Sequence, residues 1–134
     1  MRIDHVALWT NDLDRIKRFY GCYFGAKAAP HYVNAAKGFE SCFLTFADGA
    51  RLEVMKTASL PLSVPIAGTQ PFGLTHLAIS VGSDQRVDEL ARRLSDDGVP
   101  ILDGPRRTGD GFYEAVTLDP DGNRVEICAE KADT

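Results

Sequence analysis

Two histidines and two glutamates recur in this chain at matched positions. His5 and His76 open the similar segments HVALW and HLAIS, and Glu53 and Glu126 lie in the similar segments DGARLEV and DGNRVEI. Each glutamate follows its histidine at nearly the same separation. Imidazole nitrogens and carboxylate oxygens are both ligands for divalent ions. Two of each suit a borderline first-row metal: zinc, nickel, cobalt, manganese or iron. Taken singly, each residue has a plainer role. Arg51 and Arg124 stand two positions before the glutamates, where a salt bridge along the strand face would hold them. A lone histidine on a strand is more often a hydrogen-bonded packing residue than a ligand. The joint pattern changes the balance. Four such groups gathered away from water would be costly without a partner, and a divalent cation removes that cost. A mixed set with room for water or substrate suits a working site better than a closed structural one.

The elements that must position these residues come in two copies. In the first, Asn11 or Asp12 caps a helix whose apolar stripe is Leu13, Ile16, Tyr20 and Phe24, and Gly25 stops it. In the second, Ser83 or Asp84 caps, Val87, Leu90, Ala91 and Leu94 form the stripe, and Gly98 stops it. Each copy opens on a strand and closes on two: SCFLTF with RLEVM, then YEAVTL with RVEICA, joined by Asp-Gly turns. A further short strand is expected after each helix, near Ala28–Val33 and Val99–Leu102. The class is therefore α+β, as two tandem βαβββ units in a single domain over 1–134. The first unit spans 1–56, a Pro-rich linker holding Pro61, Pro65 and Pro71 spans 57–71, and the second unit spans 72–130. Alternation along the strands puts His5, Ala7 and Trp9 on one face. It does the same for Arg51, Glu53 and Met55, for His76, Ala78 and Ser80, and for Arg124, Glu126 and Cys128. One unit alone would struggle to cover its sheet, whereas two packed units would succeed, within a chain or across a dimer.

Composition narrows the function classes. Apolar residues make up 44% and charged residues 25%, which fits a globular chain rather than a disordered one. A net charge of −4 argues against a nucleic-acid binder, which carries a basic stripe. No apolar run has the length to span a bilayer. The opening MRIDHVALWT has no export signal, so a cytoplasmic location is expected. Cys22, Cys42 and Cys128 are odd in number and form no C-x-x-C pair, which leaves them as small buried hydrophobes in a reducing compartment. His31 has no counterpart in the second copy and is expected at the surface.

The paired units, the openings HVAL and HLAI, and the stretch DPDGNRVEI resemble the vicinal oxygen chelate superfamily over nearly the whole chain. That group includes glyoxalase I, fosfomycin-resistance proteins, extradiol dioxygenases and methylmalonyl-CoA epimerase. The resemblance implies a cupped, eight-stranded mixed sheet with a divalent metal on its concave side. It implies His5, Glu53, His76 and Glu126 as the ligands. A set of two histidines and two glutamates is similar to that of glyoxalase I, whereas extradiol dioxygenases and fosfomycin proteins use two histidines and one glutamate. The expected activity is therefore a metal-dependent lyase or isomerase of the glyoxalase I type, acting on a hemithioacetal through an enediolate. The metal is the Lewis acid and Glu126 or Glu53 the base. Alternatives are another metalloenzyme of the group (an epimerase or a dioxygenase), a fosfomycin- or bleomycin-type resistance protein, or a binding module. A small-molecule substrate and a homodimer are expected. Trp9 stands where glyoxalase I has an arginine that holds glutathione, and VMKTASLPLS lacks the asparagine-containing stretch found there. Both departures argue against glutathione as the thiol.

Four further residues are candidates for substrate contact. Trp9 and Met55 would give the cup an apolar wall, though core packing accounts for them equally well. In GPRRTGDGFYEA, Arg106 or Arg107, with Arg107 favoured, would meet an anion near the mouth, and Gly109 and Gly111 would hinge the loop. Cys128 shares a face with Glu126, which would set it near the metal, though simple packing is the favoured account of it.

Overall fold

A computed structural model of the chain describes residues 1–60, 70 and 72–131. The chain divides into two compact units, Met1–Val64 and Pro65–Thr134. Most of the Pro-rich linker expected over 57–71, including Pro61, Pro65 and Pro71, lies outside the described residues.

The first unit opens with β1 (His5–Trp9) and α1 (Leu13–Phe24). Asp12 caps the helix by accepting a bond from the Arg15 backbone N–H at 2.9 Å, and Gly25 ends it with φ of 67°, a conformation that only glycine adopts freely. The strand expected after the helix is split into β2 (Lys27–Ala28) and β3 (Tyr32–Asn34), which both pair with β4 (Phe39–Thr45). Pro30 stands in the gap, and a residue without an N–H cannot continue the ladder. β5 (Arg51–Thr57) then lies between β4 and β1, antiparallel to the first and parallel to the second. Leu13, Ile16, Phe19 and Tyr20 of the helix pack onto Cys42, Leu44, Leu52 and Val54 of the sheet, all buried. At roughly 25 cal/mol per Å² of apolar surface, this layer is what holds the unit together.

The second unit repeats the plan. It comprises β6 (Leu77–Gly82), α2 (Asp84–Asp96), β7 (Ile101–Arg107), β8 (Tyr113–Leu118) and β9 (Arg124–Ala129), in the sheet order β6-β9-β8-β7. Ser83 caps α2 through the Arg86 N–H. Val87, Ala91 and Leu94 pack against Ala115, Thr117, Val125 and Ile127. The β8–β9 turn is closed by buried Asp119, whose carboxylate accepts bonds from the backbone N–H of Asp121 and Asn123 and from the Asn123 amide. The architecture is thus α+β, with nine strands among the described residues. They are arranged as one five-stranded and one four-stranded sheet, where a single eight-stranded sheet was expected. The extra strand comes from the break at Pro30.

No helix among the described residues is long and apolar enough to cross a membrane. None of the three cysteines is in a disulfide. Cys42 and Cys128 are buried as expected, but Cys22 is exposed because α1 turns it away from the sheet. His31 is at the surface, where it pairs with Glu40 at 3.0 Å.

Candidate metal centre

In both units the helix covers one face of the sheet and the candidate ligands project from the other. In the first, β1 and β5 run in parallel with Ala7 opposite Glu53 and Trp9 opposite Met55. This register brings His5 Nε2 to 3.7 Å from Glu53 Oε2. In the second unit Ala78 is opposite Glu126, and His76 Nε2 lies 3.3 Å from Glu126 Oε2. Each glutamate therefore sits beside an alanine, whose small side chain leaves room over the carboxylate. Both glutamate side chains are 17% exposed, shielded but reachable.

Neither separation describes a good hydrogen bond. Donors about 2.1 Å from a metal at an angle of about 90–110° lie about 3.0–3.4 Å apart, which the 3.3 Å pair matches and the 3.7 Å pair exceeds. An imidazole nitrogen and a carboxylate oxygen are the donor types that a first-row divalent ion takes, and each unit pairs one of each. Among the described residues no group of three or more His, Cys, Asp or Glu side chains is gathered for a metal ion.

The salt bridge expected between Arg51 and Glu53 does not form. Arg51 reaches instead to Asp4, with Nη2 2.5 Å from Oδ2, and the same carboxylate oxygen lies 2.8 Å from His5 Nδ1. These bonds, that with His5 above all, hold the Asp4 carboxyl at about 2. In the second unit the residue before the histidine is Thr75, whose hydroxyl lies 3.0 Å from His76 Nδ1. The sequence reading missed both residues, although each directly precedes its histidine.

The surroundings of the two halves differ. Around Glu53 the face is aromatic. His5 meets Phe43 edge-on at 5.3 Å, Trp9 meets Phe39 at 6.3 Å, and Tyr32 meets Phe39 at 6.2 Å. Trp9 is 47% exposed and Met55 is half-buried beside it. Around Glu126 the face is charged. Glu114, opposite Cys128 in the ladder, is a further residue that sequence reasoning passed over. Burial first, and then the neighbouring Glu126, pushes its carboxyl above the usual range. Burial likewise raises the Cys128 thiol, with Glu126 and Glu114 adding to the shift. Cys128 is therefore close to Glu126, as its place in the strand suggested.

Arg107 is a correction. It pairs with Tyr113 in the ladder and forms an ion pair with Asp84 of α2, which places it on the helix side of the sheet. The strand expected near Val99–Leu102 runs on as β7 to Arg107, so both arginines lie in the ladder rather than in a loop, and it is Arg106 that lies opposite Glu114. Arg106 is itself held by Asp103.

Comparison with known proteins bears on what this arrangement does. A sequence model of the Glyoxalase/Bleomycin resistance protein/Dioxygenase superfamily matches residues 2–127. An uncharacterized protein of Bacillus subtilis (strain 168), YqjT, is 27% identical over 93% of this chain and 96% of its own length. Among solved structures, the trypanothione-dependent glyoxalase I of Leishmania major superposes with a TM-score of 0.75 at 25% identity, over 97% of this chain and 87% of that one. The fosfomycin resistance protein FosX of Listeria monocytogenes shares the fold, with a TM-score of 0.69 at 21% identity over 96% of this chain and 91% of that one.

Proposed function

Because the chain belongs to the Glyoxalase/Bleomycin resistance protein/Dioxygenase superfamily, we propose that it is a metal-dependent lyase or isomerase of the glyoxalase I type, converting a hemithioacetal into the thioester of a 2-hydroxy acid. The observation that carries this is the duplicated His–Glu pair, with the two side chains facing each other at 3.7 Å and 3.3 Å beside a small residue. His5, Glu53, His76 and Glu126 would hold the ion, which supplies Lewis acidity that lowers the cost of negative charge on a substrate oxygen. A first-row ion such as zinc, nickel, cobalt, manganese or iron suits these donors.

The chain's own part is proton movement and placement. The reaction takes a proton from the carbon bearing sulfur and returns one to the adjacent carbon, with no net change in atoms. A carboxylate of Glu126 or Glu53 is the group to move it, because each is shielded yet reachable from the face that carries the histidines. Trp9 and Met55 form an apolar wall on the same face as Glu53, suited to a thiol less polar than glutathione. Cys128, buried beside Glu126, is the candidate substrate contact of the second unit. A homodimer belongs to this reading. Three cysteines outside any disulfide suit a reducing compartment such as the cytoplasm.

The test is metal analysis of freshly purified protein followed by thioester formation from methylglyoxal with several thiols. Glu126→Gln and Glu53→Gln should each stay folded, bind metal at least tenfold more weakly and lose most turnover. Metal content unchanged in both variants overturns the ligand assignment. Iron with consumption of oxygen points instead to dioxygenase chemistry.

A further inference from the structure

We infer that Asp4 is a positioning residue: it fixes His5 as the tautomer protonated on Nδ1 and keeps the Nε2 lone pair aimed at Glu53. The inference rests on the reading of His5 as a metal ligand. An ionised carboxylate can only accept hydrogen bonds, so the 2.8 Å contact between Asp4 Oδ2 and His5 Nδ1 requires the hydrogen on Nδ1. In the neutral ring Nε2 is then the free donor atom, and it is the nitrogen that faces the Glu53 carboxylate.

Asp4 is fixed in turn. Arg51 donates to the same carboxylate oxygen, and its backbone N–H donates to the Asp4 carbonyl at 3.0 Å. The parallel register of β1 and β5 sets Arg51 directly opposite His5. The Arg51 guanidinium lies 4.4 Å over the Phe43 ring, and Phe43 meets the His5 ring edge-on. Asp4, Arg51, Phe43 and His5 therefore close a ring of contacts that sets both the tautomer and the tilt of the imidazole. A carboxylate behind a ligating histidine also raises the basicity of the ligand.

The second half lacks this device. The Thr75 hydroxyl beside His76 Nδ1 both donates and accepts, so it tolerates either tautomer. The duplicated halves are thus unequal: His5 is preset, and His76 adapts.

Two measurements on the full chain test this. In metal-free protein, two-bond ¹⁵N–¹H correlation spectra read the His5 tautomer, with the signal assigned by its loss in His5→Gln. Wild type should show the Nδ1–H form, and Asp4→Ala should give a mixture. Zinc ion affinity, measured by chelator competition, should fall about 10–100-fold in Asp4→Ala. It should fall less in Asp4→Asn, whose carbonyl still accepts, and least in Thr75→Ala. A mixed tautomer in the wild type, or zinc affinity unchanged in Asp4→Ala, overturns the proposal. If the wild type holds the Nδ1–H form, loses it in Asp4→Ala and yet binds no zinc, the positioning role stands and only the ligand assignment fails.

Discussion

The Asp4 carboxyl should titrate at about 2 in the metal-free protein, because His5 and then Arg51 bond to its charged form. The sign follows from that depression. The interaction stabilises the fold above the ordinary aspartate range and is lost as pH falls through about 2. A ¹³C carboxyl titration checks it, and Arg51→Ala should move the midpoint upward. At this scale the sequence was informative about the four repeated residues and silent about their partners. Duplication brought out His5, Glu53, His76 and Glu126 as repeated imidazoles and carboxylates at matched strand positions. It could not show that Arg51 would turn to Asp4 rather than to Glu53. That choice depends on the β1–β5 register, which brings Arg51 level with His5. The same holds for Glu114, which joins Glu126 only once β8 lies against β9.

Among the elements, β7 packs tightly against β8 at Gly104. Its φ is 74°, and an added Cβ would come within 2.3 Å of the Glu114 carbonyl oxygen. Gly104→Ala should therefore destabilise the second unit by about 2 kcal/mol or more, combining backbone strain with overpacking, as read by urea denaturation. Near-wild-type stability would show that the strand pair relaxes freely. Helix ends were legible because caps have local signatures: Asp12, Gly25 and Ser83 stand where the sequence placed them. Strand faces were legible wherever alternation was unbroken, as in β5 and β9. β7 was the exception: a strand was expected only near Val99–Leu102, whereas it runs with register shifts to Arg107, which pairs with Asp84. Such irregularities arise from backbone pairing and leave no periodic trace in the side chains.

For the molecule as a whole, the proposed ligand set of His5, Glu53, His76 and Glu126 predicts that loss of either histidine abolishes tight metal binding. Zinc at 100 times its Kd should stabilise the wild type by about 2.7 kcal/mol, an increase in Tm that a chelator reverses. His5→Ala and His76→Ala, which lie in different units, should both lose that increase in a thermal melt. Retention of the full increase in either would remove that histidine from the site. The repeat was visible in the letters, whereas the boundary between five and four strands was not, since it hangs on the single break at Pro30. Placement of the lone tryptophan has a practical result. Trp9 sits on the same face as Glu53, level with Met55 and half open to solvent. Its emission is thus a built-in optical probe: quenching as nickel or cobalt is titrated in would track occupancy without any label.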